Sequence, residues 1–255
     1  MKPVAQAMGQ ATGRSRLPES YKVAMVAAVE REVKLLIHGW QTTHREHDGR
    51  RFKFFEDDRR VLVCGGIGAP AARRAAEAVI VLYRPEMVQS VGFAGALDVT
   101  LKAGDIFTPG RVIDSADGSS IETGLGKGVL VSFNRIADRE QKTRLAEAFA
   151  AQAVDMEAAA VARAAQLRGV PFAAIKAISD ESGFDLPDMN RFIAEDGQFR
   201  TAGFLATAAV RPWLWPRVFR LARNSAAASR ALCTELNRSS EGGFQAAELY
   251  RDSRV

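Results

Sequence analysis

Short apolar runs alternate with stretches of helical period along most of this chain. Positions 21–29 form an apolar run of strand length, and Glu30–Val33 begins a segment in which Val33, Leu36 and Ile37 follow helical spacing. Positions 51–55 and 60–64 read as two strands of a hairpin around the polar turn 56–59. A glycine-rich loop, Gly65–Gly66–Ile67–Gly68, then leads into a predicted helix over 71–83, which stops at Arg84–Pro85. Strands are predicted over 86–97 and 128–133, with Asp117–Gly118 as a hairpin turn between them. An amphipathic helix over 140–149 leads to a short extended stretch at 153–155 and an alanine-rich helix. The buried strand Phe172–Asp180 ends on the polar pair Ser179–Asp180, and helices follow over 198–210 and 216–236. Alternation of this kind predicts an α/β fold.

At 255 residues, with 47% apolar and 25% charged, the chain fits one large soluble domain. We place it at 21–236, between an N-terminal arm (1–20) and a C-terminal tail (237–255). The first twenty residues lack a continuous apolar core, so they do not read as a signal peptide. Cys64 and Cys233 lie far apart, with no disulfide framework and no metal-spaced thiol pair, which points to a reducing cytoplasm. His38, His44 and His47 do not share a helix face, so they read as surface or loop residues and no metal is expected. The net charge is +5, but acidic residues accompany most arginines, and nucleic acid is not the expected partner. The glycine loop lacks the third glycine of a dinucleotide fingerprint, and no cofactor is expected.

Candidate chemistry concentrates in three places. Glu157 lies in the first turn of the alanine-rich helix, and Asp180 closes an apolar strand. An α/β enzyme assembles a site at its sheet edge from such pairs. Glu30 and Glu32 sit at the first strand-to-helix junction, where the helix dipole alone accounts for acidic groups equally well. The turn at Gly66, Ile67 and Gly68 presents backbone amides to an anion or a polarised water, or is a plain tight turn.

The segments Val154–Asp155–Met156–Glu157–Ala158–Ala159–Ala160 and Ala177–Ile178–Ser179–Asp180 resemble the ribose-binding and purine-protonating motifs of the nucleoside phosphorylase superfamily. The likeness is nearest to its methylthioadenosine/S-adenosylhomocysteine nucleosidase branch. That resemblance implies a three-layer α/β/α sandwich around a mixed, twisted central sheet. It implies cleavage of the N-glycosidic bond of a purine nucleoside, by hydrolysis of a 5′-substituted adenosine to adenine and the ribosyl product. Asp180 would protonate the purine beside Ser179, Glu157 and Met156 would hold the ribose, and Glu32 would activate the water. Glu30 would be structural. Ala94 and Gly95 fall in a turn resembling that of the nucleosidases, except that Phe93 replaces a small polar residue, which raises the alternative of a filled pocket and a non-catalytic nucleoside-binding protein. Phe133 or Arg135 would stack on the base. Ser90 stands where the phosphorylases have a phosphate-gripping arginine, favouring water; Arg73 and Arg74 either compensate or are solvated. The family also implies a homodimer or larger homo-oligomer.

The C-terminal part resembles the hopanoid-associated phosphorylases, which favours the alternative of phosphorolysis of an adenosyl compound such as adenosylhopane, with phosphate as co-substrate. Trp213 and Trp215 beside a basic amphipathic helix either touch a membrane surface or pack on the domain or on a subunit partner. Arg211 and two prolines interrupt the most apolar stretch, so no membrane span is expected.

Overall fold

The computed structural model describes residues 23–184, 189–194 and 196–242. The arm at 1–20 and the end of the tail beyond 242 lie outside them. In chain order the elements are β1 (Val23–Ala27), α1 (Glu30–Val33), β2 (Gln41–His47), β3 (Arg50–Glu56), β4 (Arg60–Cys64), α2 (Ala69–Tyr83) and β5 (Met87–Ala96). There follow β6 (Ile106–Phe107), β7 (Arg111–Asp114), β8 (Ser120–Glu122), β9 (Val129–Ser132), α3 (Arg139–Phe149) and β10 (Ala153–Asp155). The chain continues through α4 (Ala158–Leu167), β11 (Phe172–Asp180), α5 (Thr201–Ala209) and α6 (Trp215–Gly242).

These strands form one mixed sheet, in the order β2-β3-β4-β1-β5-β10-β9-β7-β8, with β11 on β5 and β6 on β11. Parallel pairing joins β4, β1, β5 and β11 at the centre, whereas β2, β3 and β4 run antiparallel at one edge. β5 organises the sheet: it pairs with β1 at its start, β11 along its length and β10 at Gly95 and Ala96.

Two-residue periodicity sorts the core onto two faces. Ala24 and Val26 of β1 and Val61 and Val63 of β4 share a buried cluster with Ala72, Ala75 and Val79 of α2 and Val161 and Ala162 of α4. The alternate residues, Met25, Ala27 and Leu62, belong to a second cluster with Val33, Leu36, Ala228, Leu232 and Leu236, contributed by the α1 turn and α6. Alanines dominate the buried faces of α2 and α4, and small contact residues let helices pack closely. Helices thus cover both faces, the three-layer arrangement expected. His44 and His47 lie on the edge strand β2, and no cluster able to hold a metal exists among the described residues. Nor is any described helix long and apolar enough to cross a membrane.

Candidate active site

Glu32 sits in the single turn of α1, directly after β1. Its residue is only 7% exposed, and Oε2 has no hydrogen-bond partner among the described residues. The space it occupies exists because β5 carries Gly92 opposite: a Cβ there would lie 2.8 Å from Oε2. Burial raises the carboxyl pKa from 4.5 to about 7, against the opposing charges of Lys176 and Arg31 and nearby backbone amides. Neighbouring Glu30 is exposed and pairs with Lys53 at 3.0 Å. From behind, the hydroxyl of Ser229 on α6 donates to the Glu32 backbone carbonyl at 2.9 Å.

Where β10 meets α4, two carboxylates take different work. Asp155 is a buried structural anchor: its Oδ2 accepts from Ala158 N at 2.9 Å, and its Oδ1 accepts from Ser132 Oγ at 2.6 Å. Lys176 Nζ lies 2.8 Å from Asp155 Oδ2 and donates to Ser90 Oγ at 3.0 Å. Every member of this buried network has a partner, the condition for a polar core to be tolerated. Glu157, at the start of α4, accepts from the Gly68 backbone N–H at 2.7 Å. Burial, reinforced by the charge on Asp155, raises its pKa to about 7, with Lys176 opposing.

Asp180 ends β11 just after an irregularity in the β5 pairing between Ile178 and Asp180. Such an irregularity re-aims a side chain at a sheet edge. Asp180 is 5% exposed; Ser179 Oγ donates to its Oδ1 at 2.7 Å, and Lys142 of α3 contacts its Oδ2. Lys142 also donates to the Glu181 carbonyl at 2.9 Å. A capping box, Asp138 with Gln141, starts α3 and fixes where Lys142 points. Gly95 makes the room: a Cβ there would lie 3.0 Å from Asp180 Oδ2 and 3.3 Å from Lys142 Cε.

Glu32, Glu157, Met156, Ser179 and Asp180 all line one cavity of about 140 Å³. A family model described as the Phosphorylase superfamily matches residues 22–132 and 128–210. The chain belongs to that superfamily. It is 29% identical over 205 residues to the 5′-methylthioadenosine/S-adenosylhomocysteine nucleosidase of Bacillus pumilus, covering 64% of this chain and 87% of the relative. Its fold is similar to that of the Helicobacter pylori nucleosidase of the same name, solved with butyl-thio-DADMe-Immucillin-A. The TM-score is 0.62 at 18% identity, over 87% of this chain and all (100%) of that one. It is also similar to the futalosine hydrolase of Helicobacter pylori, with TM-score 0.55 and 22% identity, over 64% of this chain and 89% of that one.

Within this superfamily fold, most residues singled out from sequence converge on the cavity. Ile67, Phe93, Ala94, Gly95 and Arg135 line it together with the carboxylates. Phe133 does not: it packs against the cluster of Leu97, Val131 and Val154, while its backbone N–H donates to Asp155 O at 2.8 Å. Of the glycine loop, Ile67 reaches the cavity wall and Gly68 reaches Glu157, while Gly66 N donates to Ala28 O at 3.0 Å. Phe93 is half-buried and packs towards the α6 face, so it forms part of the wall beside an open space. Arg73 pairs with Glu77 at 3.7 Å on the exposed side of α2. Four participants escaped sequence reasoning: Lys142, Lys176, Ser132 and Gly92. For Lys176 a signal existed, since a lone lysine in the run Phe172–Asp180 must find a buried partner.

Proposed function

We propose that this protein cleaves the N-glycosidic bond of a purine nucleoside, with water as nucleophile. The substrate is a 5′-substituted adenosine of the methylthioadenosine or S-adenosylhomocysteine type, and the products are adenine and the ribosyl compound. The observation that carries this reading is that Glu32 and Asp180 line a single cavity, with Glu157 and Met156 in its wall.

The chemistry needs a base for water, a grip on the sugar and an acid for the leaving purine. Glu32, with an unpartnered oxygen and a pKa near 7, takes the water proton as the oxygen bonds to C1′. The bond from C1′ to N9 breaks, and its electron pair moves into the purine. Asp180 in its protonated form delivers a proton to purine N7, and Lys142, in contact with Oδ2, stabilises the carboxylate that remains while Ser179 fixes the other oxygen. Glu157, released from the Gly68 amide, accepts hydrogen bonds from the ribose hydroxyls while Met156 packs on the sugar. Arg135 covers the base. The similarity to the Bacillus pumilus nucleosidase supports the class of reaction. A homodimer or larger assembly, in which a neighbour closes the 5′ end, completes this proposal.

Ser90 favours water over phosphate. It is fully buried and bonded to Lys176, and among the described residues the cations lining the cavity are Arg135 and Lys142, the latter engaged by Asp180. A second reading, phosphorolysis of an adenosyl lipid such as adenosylhopane, draws on the apolar segment around Trp213 and Phe219. Arg220 ties that segment to Glu181 at 3.4 Å. Incubation with methylthioadenosine, with and without phosphate, separates these readings by the appearance of free adenine. Adenine without phosphate is the expected result. Adenine only with phosphate establishes the phosphorylase, and tight nucleoside binding without any adenine from any adenosyl compound establishes the non-catalytic reading.

A further inference from the structure

α6 changes character along its length. From Asn224 onward it is a core helix: Asn224, Ala228, Leu232, Cys233 and Leu236 are buried against the sheet. Before that, large apolar side chains are exposed to solvent. Val210 is 74% exposed, Trp213 70%, Trp215 48% and Phe219 69%. These are four of the eight exposed large hydrophobic residues described, gathered within ten positions, so the exposure is a patch rather than scatter.

Charge says what the patch meets. Arg200, Arg211, Arg217, Arg220, Arg223 and Arg230 fall between Gln198 and Thr234, and no aspartate or glutamate does. The positions 201–210, which include α5, carry no charge at all. An occupant must therefore accept aromatic and aliphatic side chains while supplying negative charge. We propose that the segment from α5 through the first turns of α6 docks on an anionic bilayer surface, with Trp213 and Phe219 entering the headgroup boundary and Arg211 and Arg223 meeting lipid phosphates. Amphipathic segments bearing Trp and Phe on one side and arginine on the other bind membranes in this way. A second copy of this chain fits worse, because a self-complementary contact would set arginines against arginines. Nucleic acid fits worse too, since the uncharged run has no stacking groove to offer bases. Docking would hold the cavity close to the bilayer, because Arg220 bonds to Glu181, the residue after Asp180.

Flotation of the full chain with phosphatidylcholine vesicles, and with phosphatidylcholine–phosphatidylglycerol vesicles, tests the proposal. Binding should require phosphatidylglycerol and weaken as salt is raised. Trp213→Ala/Phe219→Ala should lower partitioning by at least ~10-fold, given the usual gain from burying such side chains. Arg211→Gln/Arg223→Gln should lower it by about fivefold per arginine. Circular dichroism and the turnover of a soluble nucleoside should be unchanged in both variants. Four results would overturn it: no flotation with anionic vesicles, equal flotation with phosphatidylcholine alone, undiminished flotation of the variants, or a single-stranded oligonucleotide that binds more tightly than the vesicles. So would a vesicle-free light-scattering measurement in which Trp213→Ala/Phe219→Ala breaks an assembly into smaller ones, for the patch would then be a subunit interface.

Discussion

The two ends of the cavity hold carboxylates that are equally buried and oppositely equipped. Glu32, 7% exposed, has an oxygen with no hydrogen-bond partner among the described residues, faced by a glycine. Asp180, 5% exposed, has a hydroxyl on one oxygen and an ammonium on the other. Depth is therefore not what separates their chemistry. At Glu32 desolvation outweighs the opposing charges of Lys176 and Arg31 and raises the affinity for a proton, giving a base poised near neutral pH. At Asp180 a cation in contact turns an isolated carboxyl into one half of a pair. A base suits the first environment, and a group that ends the reaction as a carboxylate, stabilised by that cation, suits the second.

The largest effects should come from removing either carboxylate. Glu32→Gln and Asp180→Asn should each lower the rate of adenine release by at least ~10²-fold, the usual contribution of a positioned acid or base. The pH profile then tells the two ends apart. In the wild type kcat/KM should climb as pH rises through about 7, since Glu32 must lose its proton to act. In Glu32→Gln the residual rate should lose that limb, whereas Asp180→Asn should keep it. A limb retained in Glu32→Gln would move the base elsewhere.

Lys142 sharpens the comparison from the other side. Replacing it by Met leaves Asp180 buried without its counter-ion, which typically costs about 3–5 kcal/mol. Denaturant unfolding at neutral pH should show that loss. Lys142→Met combined with Asp180→Asn should recover most of the stability and none of the activity. A loss undiminished in the double variant would mean that Lys142 contributes packing alone.

Stability should move the opposite way at the Glu32 end. A carboxyl whose folded pKa, about 7, exceeds its unfolded 4.5 binds more protons when folded between those values. Unfolding free energy therefore falls as pH rises across that window. Neutral Glu32→Gln removes this penalty. Above pH 7 the variant should be more stable than wild type by up to about 3 kcal/mol, as about 1.4 kcal/mol per pKa unit implies, with the advantage gone below about pH 4.5. Thermal unfolding of both proteins at pH 4.5 and 8 checks the sign. An inactive variant of greater stability is the mark of a strained functional group.

How far the sequence disclosed this site depended on how each group is held. Glu157 and Asp180 were legible because each sits at an element boundary, where a polar residue interrupts an apolar run, whereas the choice of Glu32 over Glu30 at a third boundary rested on the family resemblance. The layers followed from alternation, as in Ala24 and Val26 against Met25 and Ala27. Lys142 was not legible, since a lysine on an amphipathic helix looks solvated until tertiary docking brings it to Asp180. Phe133 misled for a related reason: one residue past β9 its ring falls to the Leu97–Val131 cluster, and Arg135 takes the cavity side. α6 was predicted over 216–236 but runs from Trp215 to Gly242, because the polar residues that suggested an end are compatible with an exposed helix face.

The smallest effects should come from the two glycines that make room for the carboxylates. Gly92 faces Glu32 with a φ of +148°, which side-chain-bearing residues rarely adopt, and an added Cβ would fall 2.8 Å from Oε2. Gly92→Ala should thus cost about 1–3 kcal/mol of stability and displace the base. Gly95 has no such φ, and its added Cβ would sit 3.0 Å from Asp180 Oδ2 and 3.3 Å from the flexible Lys142 Cε. Gly95→Ala should be tolerated with a stability cost below about 1 kcal/mol, as the lysine end can give by tenths of an ångström. Its kcat should still fall several-fold while KM hardly moves, because the proton donor is re-aimed and the sugar site is untouched. A KM rise at constant kcat would instead assign Gly95 to substrate fit, and would detach the Lys142–Asp180 pair from proton delivery.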